Sequence, residues 1–174
     1  MLIAQKLKRS NRAEHLLYLW QVEDMMRAFQ LDTDRINAEY LSRFDLSPEE
    51  RAETEKWYAN ICEMMKSEGL REKGHLQIHK NLLAELEETH ARLMKSTEHP
   101  DYRTCYYKVL PYIVELRAKG EDPNASELQV CFDVLYGVWL LKLQKKNVSP
   151  ETLQATQDIS AMLARLSDAH ITNN

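Results

Sequence analysis

The most restrictive feature of the chain is a long apolar stretch at residues 130–143, which reads VCFDVLYGVWLLKL. The residues that interrupt its apolar character are Asp133, Gly137 and Lys142. At about 100° per residue, apolar side chains surround such a helix except for one sector that holds Asp133, Gly137 and Gln144. A helix of this kind needs neighbours on nearly every side. We therefore predict a buried central helix over residues 125–146.

Helix boundary signals divide the rest of the chain. Ser47, Pro48 and Glu50 match an N-cap serine, a proline at the first helical position and a glutamate at the third, and a similar start follows Ser149. The other predicted helices cover residues 12–30, 33–44, 48–69, 75–96 and 100–120, and the segment from residue 150 onward. No stretch has the alternation of a strand.

These patterns predict an all-α protein. We expect a single-domain bundle of about seven helices around the central helix. The domain is expected to include residues 1–174, with frayed ends at residues 1–10 and 171–174.

Charge and cysteine content narrow the setting. The net charge is -4, which provides no basic surface for nucleic acid. The cysteines Cys62, Cys105 and Cys131 have no CxxC spacing and lie in apolar helical patterns, as expected for reduced thiols. No segment has the length of a secretory leader or of a bilayer span. We predict a cytoplasmic protein that binds neither membrane nor nucleic acid.

Helix one carries the first candidate site. Glu23 and Arg27 are four residues apart, Asp24 lies within reach of the same guanidinium, and Trp20 is on the same side. If another helix covers this side, one arginine does not balance two carboxylates. A cationic ligand or a metal ion would then account for the surplus charge. The alternative is a solvated face of salt bridges.

Two histidines of the fourth predicted helix are the candidate metal ligands. His75 and His79 have the i, i+4 spacing at which two imidazoles on one helix face meet a single ion. The alternative is that they are histidines at the edge of the core, bonded to the backbone or to a neighbouring side chain. The sequence contains no phosphate-binding glycine loop and no nucleophile elbow, so we predict no catalytic residue and no cofactor.

Gly137 is unusual inside so apolar a helix. It costs about 1 kcal/mol relative to alanine, so a compensating contact is expected. A close crossing with another helix of the chain is the first interpretation. A pocket or a subunit contact along the strip shared with Asp133 is the alternative.

Three segments carry a family resemblance: AEHLLYLWQVEDMMRA at residues 13–28, GHLQ at 74–77, and LYG at 135–137 followed by KKNVSPET at 145–152. In these segments the chain resembles an all-helical bacterial family of unknown function, found mainly in Bacteroidetes, and the similarity runs nearly end to end. The resemblance implies an all-α fold and a bacterial cytoplasmic setting. It implies no activity, substrate or catalytic residue.

Two functional hypotheses remain. The first is a non-catalytic interaction or scaffold module that binds a protein partner or forms a homodimer. The second is a metal-dependent or ligand-binding helical bundle that uses His75 and His79 with Glu23 or Asp24. The distance between the carboxylates of helix one and the two histidines decides most of the second hypothesis.

Overall fold

The structure, a computed structural model, describes residues 2–120 and 122–172. Within these residues all regular secondary structure is helical, which confirms the predicted all-α fold. The α-helices are α1 Leu2–Ser10, α2 Arg12–Ala28, α3 Thr33–Arg35, α4 Pro48–Ser67, α5 Gln77–Lys95, α6 Pro100–Lys119, α7 Glu127–Leu143 and α8 Pro150–Thr172. A π-helical segment, Ile36–Tyr40, and a 3-10 turn, Leu41–Arg43, follow α3. None of the described helices is long and apolar enough to cross a membrane.

The described chain groups into two compact units. Unit 1 comprises the residues up to 9 and residues 14–82, and unit 2 comprises residues 10–13 and the residues from 83 onward. Each unit draws on two stretches of the sequence. Neither unit is therefore one continuous segment.

Unit 1 has a core contributed by α2, α4, the segment between them and the residue before α5. The predicted capping box starts α4, since Ser47 Oγ accepts the Glu50 N–H and the Glu50 carboxylate accepts the Ser47 N–H. The buried core residues are Val22, Met26, Leu31, Ile36, Leu41, Tyr58, Ile61, Cys62, Met65 and Leu76. Val22 and Met26 flank Glu23 along α2, so their burial also sets the direction in which Glu23 leaves the helix.

Unit 2 contains α6, α7 and α8 packed against one another. The stripe that α8 buries has i, i+3, i+4, i+7 spacing and consists of Ile159, Met162, Leu163 and Leu166. Ser126 starts α7 as its N-cap, with Oγ accepting the Gln129 N–H at 3.0 Å.

The α7 helix lies where predicted but is not covered on every side. Its first half buries Leu128, Val130, Cys131 and Phe132. Its second half buries Val138, whereas Tyr136, Trp139 and Leu140 are half-buried and Leu143 is 61% exposed. The prediction of a fully buried central helix is not confirmed. Within unit 2, α6 and α8 pack along α7. Glu87 and His90 of α5 lie at the amino-terminal end of α7, so its first half is covered more completely than its second half.

The ends of the chain are more regular than expected. The sequence predicted a frayed start, whereas Leu2–Ser10 forms α1, with Ala4 buried and with Lys8 and Arg9 in the last turn, where the helix dipole favours basic side chains. At the other end α8 continues through Thr172. Residues 173–174 lie outside the described residues.

Candidate functional site

The centre of the candidate site is the carboxylate of Glu23, which is fully buried on α2. Its Oε1 accepts the backbone N–H of Leu76 at 2.9 Å and lies 2.5 Å from Nδ1 of His79. Its Oε2 lies 2.6 Å from Nδ1 of His75. The carboxylate of helix one and both candidate histidines therefore form one hydrogen-bonded group.

The chain reaches this group through the connection between α4 and α5. Gly74 has a φ of +92°, a conformation that L side chains rarely adopt, and it turns the chain just before His75. The α5 helix begins at Gln77, whose N–H is accepted by Glu68 Oε2 at 2.8 Å. His75 thus precedes the helix and His79 lies in its first turn. The prediction that both share a helical face is wrong, although both reach Glu23.

The hydrogen bonds determine the charge of Glu23. Burial raises the pKa of this carboxyl, but the bonds from the two imidazoles and the Leu76 N–H outweigh burial and lower the pKa to about 2. A carboxylate only accepts hydrogen bonds, so Nδ1 of each histidine carries the proton and donates. In a neutral ring this leaves Nε2 as the acceptor nitrogen.

Trp20 holds the more exposed histidine. Its ring stacks on His75 with a centroid distance of 4.2 Å and an interplanar angle of 16°. The His75 side chain is 31% exposed, against 3% for His79. His79 is therefore an interior group, and His75 lies where the group meets the surface.

Asp24 and Arg27 form the outer part of the site. Arg27 Nη1 donates to Asp24 Oδ1 at 2.6 Å, Nε donates to the Leu70 carbonyl at 3.2 Å, and Nη2 donates to the Gly74 carbonyl. The arginine therefore balances Asp24 and ties down the α4 to α5 connection. The surplus negative charge predicted from the sequence is Glu23, and histidines and a backbone amide stabilise it.

We refer to Trp20, Glu23, Asp24, Arg27, His75 and His79 together as the Glu23 cluster. Sequence reasoning found these residues as two separate candidates but missed the backbone groups that complete them, namely the Leu76 N–H and the carbonyls of Leu70 and Gly74. The one sequence signal for these backbone groups was Gly74, because a glycine beside His75 indicates a turn at this point of the chain. Across residues 2–120 and 122–172, no group of three or more His, Cys, Asp or Glu side chains is arranged to hold a metal ion.

A second region with unusual properties is the exposed side of α7. Tyr136, Trp139, Leu140 and Leu143 recur at i, i+3, i+4, i+7, so they form one stripe, with Gly137 beside it. We call these five residues the α7 surface. Its two aromatic rings stack with centroids 5.5 Å apart.

Gly137 has open space around it. A Cβ atom built at this position meets no described neighbour within 4 Å. The expected close crossing with another helix of the same chain is therefore wrong. The alternative interpretation, a pocket or a subunit contact along the strip shared with Asp133, stays a prediction.

Comparison with known proteins gives a family match. A family model described as a domain of unknown function, DUF4924, matches residues 1–174. Neither a curated protein nor a solved structure matches the chain. The resemblance to a family of unknown function, predicted from three segments of the sequence, is thereby confirmed. The chain belongs to the family of the domain of unknown function DUF4924.

Proposed function

We propose that this protein is a non-catalytic interaction module that self-associates through the α7 surface. The observation that carries the proposal is the incomplete coverage of α7. A helix that is apolar all round is normally buried, yet Leu143 is 61% exposed and the Tyr136, Trp139 and Leu140 side chains are only half-buried. A second copy of the chain would supply the missing cover.

Gly137 supports a helical occupant of this surface. The open space at its Cα lets another helix approach more closely than any larger residue would permit. In an isologous pair the same surface faces itself, so the Leu140 side chain of one copy meets the Gly137 gap of the other when the helices run antiparallel. The contact would offset the intrinsic cost of glycine in a helix.

Charge favours the antiparallel arrangement. The exposed Asp133 lies at the amino-terminal end of the stripe, and Lys142, Lys145 and Lys146 lie at the other end. Two antiparallel copies place the acidic end of each α7 beside the basic end of its partner. A parallel pair would place like charges together, which electrostatic complementarity disfavours.

The Glu23 cluster supports a structural rather than a catalytic role for the buried polar residues. Each oxygen of Glu23 accepts a hydrogen bond from a histidine, and Oε1 also accepts the Leu76 N–H. A general base needs contact with a substrate proton, and this carboxylate is surrounded by its own donors. Its role is to fix the start of α5 against α2.

Sedimentation velocity over a roughly hundredfold range of concentration tests the proposal. The wild type is expected to shift from monomer to dimer. Leu143→Asp is expected to weaken association at least about tenfold, because it places a charge in an apolar contact. Val114→Asp on α6 is the matched control, since Val114 is 60% exposed and outside the α7 surface. Equal weakening by both variants, or a wild type that stays monomeric, would contradict the proposal.

The competing function is a metal-dependent or ligand-binding bundle using His75 and His79 with Glu23 or Asp24. The observation in its favour is that Nδ1 of each histidine bonds a carboxylate, an arrangement that orients metal-ligating imidazoles through Nε2. Against it, Glu23 is already occupied by three donors. Elemental analysis of native, tag-free protein decides: stoichiometric metal that is lost in His79→Ala supports this function.

We further propose a bacterial cytoplasmic setting without membrane or nucleic-acid partners. The support is the net charge of -4, the family resemblance in the three segments above, and the cysteines Cys62, Cys105 and Cys131, all of which are free. Fractionation of cells expressing the protein tests the location. Recovery from the membrane or nucleic-acid fraction at physiological salt would contradict it.

A further inference from the structure

Unit 1 contains a small cavity away from the Glu23 cluster. Residues from α1, α2, the π-helical and 3-10 segments and α4 line it, and its volume is about 160 Å³. Its lining is mostly apolar, and none of its described lining residues carries a formal charge. A cavity with this composition has no group that would select an ion.

Three tyrosines and Thr54 place hydroxyl groups in this lining, and the Thr54 hydroxyl already donates to the Glu50 carbonyl. Tyr18, Tyr40 and Tyr58 all line the cavity, and the hydroxyl of Tyr58 interacts with those of Tyr18 and Tyr40. Burial raises the pKa of Tyr18 and Tyr58, so both hydroxyls stay protonated. The hydroxyls of these tyrosines therefore offer a donor and an acceptor in a mostly apolar lining.

The rim of the cavity is apolar and exposed. Leu2, Ile3 and Phe44 line it with side chains that are 51%, 58% and 45% exposed. The nearby Arg51 donates to the carbonyls of Leu41 at 3.4 Å and Phe44 at 3.1 Å. The basic group therefore supports the backbone of the rim, and the entrance itself favours an uncharged molecule.

We propose that this cavity binds a neutral molecule of one aromatic ring with a single hydrogen-bonding substituent. The size follows from the volume, because an apolar protein cavity of about 150 Å³ holds one benzene. The preference for an aromatic ring follows from the lining: the Tyr40 ring lies 5.1 Å from Phe44 and 6.2 Å from Tyr58, both edge to face. The substituent bonds the tyrosine hydroxyls.

The test uses p-cresol and toluene, which differ by one hydroxyl. Each is titrated into the full-length protein while methyl and amide resonances are followed by NMR. We expect saturable shifts of the Leu2, Ile3, Leu41 and Leu46 resonances. Half-saturation with p-cresol is expected at a ligand concentration of about 1 mM. Toluene is expected to bind about fivefold more weakly, because it makes no hydrogen bond. In Tyr58→Phe this difference should shrink.

Two further variants keep the result decisive. Leu46→Trp fills the cavity and is expected to abolish the shifts, whereas Ile78→Trp makes the same enlargement at an exposed position of unit 1 that does not line it. Unsaturable shifts, shifts that persist in Leu46→Trp, or equal affinity for p-cresol and toluene would overturn the proposal. Shifts of the same residues with protein concentration alone would assign the cavity to a second copy of the chain instead.

Discussion

The Glu23 cluster and the α7 surface differ in how far the protein itself satisfies them. The cluster has its hydrogen-bond partners, whereas the α7 surface has apolar side chains without full cover. In the cluster the fully buried Glu23 carboxylate has three hydrogen-bond donors within 2.9 Å, so groups of the protein itself stabilise its charge. On α7 the most apolar helix of the chain ends in side chains that the described chain covers only in part. A buried polar group such as Glu23 thus need not be a reactive site. Apolar side chains that the protein leaves exposed, as on the α7 surface, are the better guide to a binding function.

Removal of the buried carboxylate should destabilise the protein more than any other change considered below. Glu23→Ala leaves the Leu76 N–H and the His79 ring without their acceptor inside the protein. We expect a loss of about 3–5 kcal/mol in the free energy of unfolding. Urea denaturation followed by circular dichroism measures it. The control is Glu53→Ala, an exposed glutamate on α4, which should change stability by less than about 0.5 kcal/mol.

A loss as small as that of the control would mean that the cluster does not hold unit 1 together. The site would then be reopened as a ligand-binding candidate.

Acid should also weaken the Glu23 cluster, because it protonates the Glu23 carboxylate. The pKa of Glu23 lies near 2 in the folded protein, against an ordinary value of 4.5. A lowered folded-state pKa stabilises the protein above the unfolded-state value, and this stabilisation is lost as the pH falls from 4.5 toward 2. It amounts to about 3 kcal/mol. The measurement is stability against pH for the wild type and Glu23→Gln.

Both proteins retain Asp24 and Arg27, so the difference between the two curves reports the Glu23 carboxylate and its hydrogen bonds to the two histidines. The curves should converge at low pH. Parallel curves would show that Glu23 is not the group that titrates.

His75 and His79 differ in burial, which allows a comparison within the Glu23 cluster. His79 is buried and His75 is partly exposed, although both donate to Glu23. We expect His79→Ala to cost about 2–3 kcal/mol, and His75→Ala to cost about 1 kcal/mol less, because water can replace the bond of the exposed ring. Both losses are measured by chemical denaturation. Equal losses in the free energy of unfolding would contradict the expectation that burial makes the His79 bond worth more than the His75 bond.

Gly137→Ala is the mildest change and has two effects of opposite sign. The added methyl group meets open space in one copy, so the monomer should gain about 0.5–1 kcal/mol from improved helix propensity. The same methyl group obstructs a close helix contact, so self-association should weaken. Thermal denaturation at low concentration and sedimentation of the same variant measure the two effects. A variant that dimerises as well as the wild type would contradict the helix contact at Gly137.

Much of the fold was predictable because local signals determine it. Ser47, Pro48 and Glu50 are adjacent in the sequence, and the capping box they predict is present. The α1 helix was missed, since no acidic residue marks its first turn as the start of a helix. Coverage of α7 was overestimated because periodicity reports which residues are apolar, whereas the number of neighbouring helices is a tertiary property.

The candidate site was predictable as parts but not as a whole. Glu23 and the histidines each stood out as polar groups in apolar surroundings. Their meeting depends on a chain reversal that separates Glu23 from His75 by 52 residues, and no local pattern records that distance. Sequence reasoning placed both Glu23 and Asp24 within reach of Arg27. In the structure Arg27 bonds Asp24 and the carbonyls of Leu70 and Gly74.

The most direct test of self-association through α7 is hydroxyl-radical footprinting of single side chains at low and high protein concentration. Trp139 and Tyr136 report on the α7 surface, and Tyr107, which is 61% exposed on α6, is the internal reference. We predict that oxidation of Trp139 and Tyr136 slows as the protein concentration rises, while oxidation of Tyr107 does not change. Constant oxidation of all three across the range would contradict a second copy on α7.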